Sequence, residues 1–461
     1  MILLIAKKEV KELLRNNRFR LVSITLLILL VFSMFISWNT HTKVQLEHQA
    51  AQDLARAQWE SQGKKSAHAA GHYGTFAFKP IPVLSLIDNG LNKYLGVSVF
   101  LEAHRQNSAS YKQITDQNDL ARFADLSPAF VFIYLMPLLI ILLGFNSFTT
   151  EKESGTLQLI LSQGASKRKL VLGKTLGIWF ALLLLLVPVF LLGFCFIAFS
   201  DYENGDLLRY ALIIISLLIY YGVFIHLSIA TSVWAKSSNF SLIILLSFWM
   251  ISALLMPKLT ADISKNTHKT PSAIAYQENI KNDLENGING HDPTSEKAIA
   301  FKDSLLKAYQ VKTIDSLPVS YSQLLMQEGE KHETTVYKNA MTRLNNVYLE
   351  QLKVHQLNAF ISPTILIRML SMEFAKSDLQ SHYNFTYQAE EYRGALISSL
   401  NSGPRGAVDS DFFKENIKFE YQSITLAQTM KESASNLLYL ILWWLLSGML
   451  VMLSVQKNKL K

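Results

Sequence analysis

Six stretches of the chain are apolar and nearly free of charge: residues 22–37, 129–144, 178–198, 210–233, 240–256 and 437–455. Crossing about 30 Å of hydrocarbon takes roughly 20 apolar residues in a helix, and several stretches reach that only with their flanks. With flanks included, the pattern predicts six membrane spans at 19–38, 128–148, 172–199, 208–233, 239–256 and 435–455. The first could be taken for a secretory leader, but it lacks a small-residue cleavage site and five spans follow it. The fold class expected is therefore an all-α polytopic membrane protein.

The segments between spans divide sharply by size. Residues 39–127 and 257–434 hold more than half the chain, too much for connecting loops, and are expected to be folded domains. In the first, residues 45–62 carry Leu46, Ala50, Leu54 and Ala57 at helical spacing. A break at 71–74 follows, and Pro80 and Pro82 forbid a helix beyond it, so a mixed α+β domain is expected. The second segment reads as mainly helical, with helices at 272–285, 295–309 and 324–359 and turns at 286–293 and 401–406. Residues 360–372 are apolar, too short to span and broken by Pro363. They fit either a helix lying on the membrane surface or core packing in the outer domain. At the start, residues 1–18 place Val10, Leu13 and Leu14 on one face among lysines and Arg15, the pattern of an interfacial amphipathic helix.

Composition supports this frame. Hydrophobic residues make up 50% and charged residues only 17%, where soluble domains average about 25% charged. The net charge of +8 could suggest nucleic acid, but its distribution marks membrane topology instead. Lys7, Lys8, Lys11, Arg15, Arg18 and Arg20 precede span one. Lys152, Lys167, Arg168, Lys169 and Lys174 follow span two, Lys236 separates spans four and five, and Lys457, Lys459 and Lys461 end the chain. These are alternate sides of a six-span protein, and basic residues mark the cytoplasmic side. The loop 200–207 carries Asp201, Glu203 and Asp206 without lysine or arginine. Both termini and the tail 456–461 are thus expected in the cytoplasm, and both large domains outside it. No nucleic-acid partner is expected; membrane lipid is.

Little else points to chemistry. Gly173-Lys174-Thr175 ends like a phosphate-binding loop, but the first glycine of that motif would fall on Arg168, and the triplet runs into a span. Cys195, the sole cysteine, lies inside span three and excludes an internal disulfide. His226 lies inside span four, where an ionisable group is costly; it is a candidate intramembrane functional residue, although a hydrogen bond to a neighbouring helix would account for it. His68, His72 and His104 with Glu102, and likewise His332-Glu333, match no zinc spacing and are read as solvated or structural, so no metal site is expected. HExxH and GxSxG are both absent, and no catalytic residue is expected.

Between spans two and three, residues 149–171, Gly155-Thr156 precedes Leu157, Ile160 and Leu161, an i, i+3, i+4 stripe on a short helix. Gly164 fits its C-terminal stop and Ser166 the cap of the next helix. An apolar stripe on so short an element is expected to face a partner protein. The stretch EKESGTLQLILSQGASKRKLVLGK resembles the region after the second helix of ABC-2 type permeases, where E-x-E-x-G-T-L-x-x-L-L-S-x-P-x-S-R…G-K is typical. Gly164 replaces the usual proline and Lys167 the arginine. The resemblance implies that Glu151, Glu153, Gly155, Thr156, Leu157, Ile160 and Leu161 couple the spans to a cytoplasmic ATPase, with the two glutamates making charge contacts to it. The outer segments resemble a DUF3526-type subgroup with large insertions between spans one and two and between spans five and six.

The resemblance further implies a non-enzymatic permease subunit in a bacterial inner membrane, paired with a second permease, identical or paralogous, and with two ATPase copies. No cofactor is expected on the chain itself; ATP and magnesium act through the ATPase. Export of a substrate is the leading expectation, with a periplasmic or envelope partner for the outer domains. The alternative is an assembly whose ATP-driven motion does mechanical or signalling work without moving cargo.

Overall fold

The computed structural model describes residues 1–112, 126–404, 406–415 and 418–456. Lys457, Lys459 and Lys461, and residues 113–125 of the first large segment, lie outside the described residues. Among the described residues, six helices are long and apolar enough to cross a membrane. They are α2 (Asn17–Glu60), α4 (Pro128–Glu153), α6 (Lys167–Ala198), α7 (Asp206–Trp234), α8 (Ser238–Thr267) and α15 (Leu426–Gln456). Each contains one of the six apolar stretches. α7 lies at the centre, with Tyr220, Tyr221, Phe224 and Ile225 fully buried. The outer faces of α2, α6, α8 and α15 expose Ile28, Phe32, Leu184, Leu191, Ile243, Leu254, Leu445 and Met449. So continuous an apolar exterior is stable only against lipid.

Two spans are broken at the same tripeptide. Leu135-Met136-Pro137 in α4 and Leu255-Met256-Pro257 in α8 each follow one widened turn, Val131–Leu135 and Ile251–Leu255. There the N–H of Met136 reaches back five residues to Val131 O, and that of Met256 to Ile251 O. Proline has no N–H to give the carbonyl four residues earlier, so carbonyls are left over. In the first break they are taken by side chains. Tyr221 Oη donates to Phe132 O at 3.0 Å, Tyr220 Oη to Ile133 O at 3.0 Å, and Trp249 Nε1 to Tyr134 O at 3.1 Å. In the second, Ser362 Oγ donates to Ser252 O at 2.7 Å.

Ser362 immediately precedes α12 (Pro363–Phe374), which holds the apolar stretch for which sequence left two readings. Its Ile365, Leu366, Ile367, Met369, Leu370 and Phe374 are all buried, and it packs against α7 and α15. A helix on the membrane surface would keep one face exposed, so that reading fails. α12 is a wedge in the end of the bundle.

The large segments contain β1 (Lys65–Ser66), α3 (Ala67–Tyr73), β2 (Thr75–Phe78), β3 (Ser98–Leu101), α9 (Ala273–Glu285), α10 (Glu296–Ala308), α11 (Tyr321–Asn358), α13 (Leu379–Asn401), β4 (Ala407–Val408) and α14 (Ser410–Glu415). The helix expected at 45–62 is no separate element. Nothing between Trp38 and Gln45 breaks a helix, so α2 continues to Glu60. β2 and β3 pair antiparallel, Thr75 opposite Leu101. The second segment has clusters of its own around Ile280 and Ala298, but the two segments also share strands and core. β1 pairs with β4, Lys65 opposite Val408, joining one segment to the other. Trp59, Ala67 and Ala70 pack with Ile397, Leu400 and Phe413, and Ala77, Val99 and Leu101 pack with Phe385 and Ala389. The segments fold on each other as one extramembrane body.

Candidate functional site

The turn between α4 and α6 holds α5 (Thr156–Ser162). Gly155 enters it at φ 72° and Gly164 leaves it at φ 87°, left-handed conformations that cost glycine little. Ser166 Oγ then accepts from Lys169 N at 3.3 Å and starts α6, as its position in the sequence predicts.

Three consecutive residues before this helix each bind a different span. Glu151 Oε1 lies 2.9 Å from Lys174 Nζ on α6. Lys152 Nζ donates to the last carbonyls of α7, at 3.4 Å to Ser232 O and 3.3 Å to Ala235 O, with a shorter bond to Val233 O. Glu153 accepts from Ser238 N at 2.8 Å and Ser238 Oγ at 3.2 Å, at the first turn of α8. The signs are those helix ends favour: a cation on the C-terminal carbonyls of α7, an anion on the N-terminal amides of α8. Ser232 Oγ adds bonds from Phe148 N and Thr149 N. Glu151-Lys152-Glu153 is thus a staple across α6, α7 and α8.

Lys174 extends the staple to α1 (Ile2–Arg15). Its Nζ is also 3.2 Å from Glu9 Oε2, and both side chains are buried. Burial pushes the Glu9 carboxyl up, against the pull of Lys174. The helices approach closely because α6 has glycines where they touch. A Cβ at Gly173 would lie 2.6 Å from Ile5 Cβ, and one at Gly177 the same distance from Glu9 Cβ. Gly173 and Gly177 are four apart, on one face, the small-residue spacing that lets helix backbones meet. The Gly-Lys-Thr triplet therefore serves helix packing and an ion pair, not a phosphate.

Two expectations change here. Glu151 and Glu153 spend their carboxylates inside the chain. The stripe expected to face a partner packs inward: Leu157 is 2% exposed, and Ile160 and Leu161 lie against the bundle core. What α5 presents outward is Thr156, Gln158, Leu159 (59% exposed) and Ser162. A membrane bundle supplies an apolar neighbour on this side of the helix, which periodicity alone does not reveal.

His226 Nδ1 lies 3.1 Å from Ser447 Oγ on α15, and its ring sits beside Trp444. A hydrogen bond to a neighbouring helix accounts for it. Trp444 packs over Gly222, and Trp443 Nε1 donates to Ala359 O at 3.4 Å, so both indoles serve helix packing.

Near the middle of α7 and α8, the two broken spans and α12 enclose a hydroxyl cluster that periodicity did not flag. Ser252 Oγ is 2.9 Å from Thr364 Oγ1 and 3.0 Å from Ser362 Oγ, and Thr364 Oγ1 is 3.1 Å from Tyr220 Oη. The repeated Leu-Met-Pro was the available signal.

No curated protein matches the chain at a significant level. Residues 3–460, nearly the whole length, match the family model described as ABC-2 family transporter protein. That family's members are membrane subunits of ATP-driven transporters, and six candidate spans suit a multi-pass membrane subunit. The chain belongs to the ABC-2 family of transporter proteins.

Proposed function

We propose that this permease subunit turns ATP hydrolysis by a separate cytoplasmic ATPase into movement of its spans through the segment Glu151–Leu161. The observation that carries the reading is the staple. A load applied to the exposed face of α5 passes through Glu151 to α6, through Lys152 to α7, through Glu153 to α8 and through Lys174 to α1. Rigid connections of this kind move several spans together, and ATP binding then biases the population of two bundle arrangements. Gly155 and Thr156 set the start of α5, while Leu157, Ile160 and Leu161 root it in the bundle. Two ATPase copies, holding ATP and magnesium, and a second permease copy or paralogue complete the assembly. The membrane is the bacterial inner membrane, with both termini in the cytoplasm.

Export is the favoured direction. The hydroxyl cluster at the broken spans is the candidate substrate contact, because interrupted helices expose polar groups where transporters bind cargo. We keep the subgroup with two large insertions as part of the proposal, on the weight of residues outside the spans. A second reading has its own support. α2 and α8 continue past their apolar stretches into the extramembrane body, as helices of 44 and 30 residues. Span motion would reach that body directly, which suits mechanical or signalling work. Reconstitution with the ATPase in vesicles separates the two: cargo movement coupled to hydrolysis supports transport, and hydrolysis with conformational change outside but no flux supports the second.

A further inference from the structure

Four histidines from three places in the chain meet in the extramembrane body. His68 and His72 lie four apart on α3, on one face of the helix. His104 follows β3, and His291 sits in the turn before α10. His72 Nε2 is 3.2 Å from His68 Nε2, and His291 Nε2 is 2.8 Å from His104 Nε2. One ring nitrogen from each of His68, His72 and His104 lies within 4.8 Å of the others. Ring centroids of His68 and His72 stand 4.9 Å apart, those of His72 and His104 5.2 Å, and those of His68 and His291 5.7 Å.

The partners behind the rings orient them. His68 Nδ1 is 2.8 Å from Asn401 Oδ1, the last residue of α13. His104 Nδ1 faces two carboxylates of α11, Glu333 Oε2 at 2.9 Å and Glu330 Oε1 at 3.0 Å. Both acceptors call for a proton on Nδ1, so that in the neutral ring each Nε2 offers its lone pair to the cluster. An outer carboxylate or amide fixing the ring of an inner ligand is the usual support of a metal-bound histidine.

Two further features agree. His104 holds φ 59°, a left-handed conformation that histidine adopts at a cost, here kept in place by Tyr337 Oη donating to His104 O at 2.9 Å. Glu330 is buried, and neither of its oxygens makes a well-directed hydrogen bond. The nearest guanidinium, Arg393, is 4.0 Å from it and gives its closer contacts to Glu390. Its nearest partner is the His104 ring at 3.0 Å, so positive charge on or beyond that ring is favoured there.

We propose that His68, His72, His104 and His291 bind a divalent metal ion of borderline softness, zinc or a first-row neighbour, with Glu330, Glu333 and Asn401 as its outer supports. Zinc–nitrogen bonds of about 2.0–2.1 Å in a tetrahedral site separate ligand nitrogens by about 3.3 Å, close to the spacing at the His68–His72 contact. Imidazole donors suit zinc, copper, nickel and cobalt rather than calcium or magnesium. His72 and His291 are exposed, so the ion reaches the site from water and exchanges with it. The ligands come from both large segments, so the ion clamps one to the other.

The test uses the full chain in detergent, carrying a histidine-free tag and stripped with a chelator. Zinc is titrated calorimetrically, and cobalt is added separately for its visible absorption. One ion per chain with a tetrahedral cobalt spectrum is expected. His104→Ala and His291→Ala should abolish that spectrum, and Glu333→Gln should weaken binding about 10- to 100-fold. His268→Ala, outside the cluster, should change nothing. Unfolding temperature and elution volume in the absence of metal establish that each variant folds; should His104→Ala misfold, His72→Gln takes its place. Substoichiometric binding, or binding unchanged in folded His72→Gln and His291→Ala, overturns the site. The close nitrogen contacts would then be hydrogen bonds that share protons between rings.

Discussion

Replacing Lys174 with methionine should release the N-terminal helix from the bundle. Its ammonium lies 3.2 Å from Glu9 and 2.9 Å from Glu151, and the three side chains are only 4%, 9% and 14% exposed. At these separations each attraction is worth about 5 kcal/mol with an effective dielectric of 20, most of it spent on desolvation. Methionine removes the attraction but leaves both carboxylates buried beside each other. Breaking a buried pair in this way costs about 3–5 kcal/mol. If the cost falls on the α1 contact, its opening equilibrium rises by about two to three and a half orders of magnitude. Hydrogen exchange followed by mass spectrometry reads this directly. Amides of Ile2–Arg15 should exchange at least about 100-fold faster, while those of Ala273–Glu285 stay unchanged. Glu9→Gln should do far less, because burial already disfavours the Glu9 charge and the amide oxygen still accepts from Lys174. Neutralising all three, as Lys174→Met with Glu9→Gln and Glu151→Gln, should recover much of the protection. Exchange in Lys174→Met within threefold of wild type would refute the reasoning.

Gly173→Val should produce the same release by crowding Ile5, measured by the same exchange. Tyr221→Phe leaves Phe132 O without its side-chain donor in a fully buried site. It should destabilise the chain by about 1–3 kcal/mol, seen as a lowered unfolding temperature. His226→Phe loses hydrogen bonding to one neighbouring helix, α15, and should keep most of the ATPase and transport activity of the assembled complex. Lys79 is buried, and burial pushes its ammonium down to about 8 from 10.5. A base depressed in the folded state disfavours folding below that value and stops doing so as pH rises. Between pH 7 and pH 9.5, wild type should therefore gain about 2 kcal/mol relative to Lys79→Met in chemical unfolding. Parallel curves would exclude this.

Sequence showed the parts whose causes are local. Runs of apolar residues located all six spans, because length and hydropathy alone decide what lipid will accept. Gly164 and Ser166 marked the ends of α5 and α6 correctly, since a left-handed turn and a capping hydroxyl act over three or four residues. Periodicity also located α9, α10 and α11 to within a few residues. What stayed hidden depends on distant partners. Glu151 and Glu153 read as charge contacts to an ATPase, because sequence does not pair them with Lys174 and Ser238, 23 and 85 residues further on. The stripe on α5 was visible, but its direction was set by a bundle that periodicity cannot see. His68 and His72 did carry a signal, their i, i+4 spacing, yet His291 and Glu330 join them only through tertiary folding. The repeated Leu-Met-Pro triplet was legible, with Pro137 inside an expected span and Pro257 just past the end of another. Its consequence, carbonyls bonded by Tyr220, Tyr221 and Trp249, was not.

Coupling through α5 to an ATPase is the central claim, and co-purification tests it most directly. The tagged chain and its Leu159→Glu variant would be isolated in mild detergent, every associated protein identified, and ATP hydrolysis measured. Leu159 is chosen because it is the exposed apolar residue of α5 and holds no span in place. The account predicts an ATPase with Walker motifs on the wild-type chain, lost or weakened at least about tenfold in the variant, with the fold intact. An ATPase retained equally by both, or none captured even after crosslinking, would contradict it.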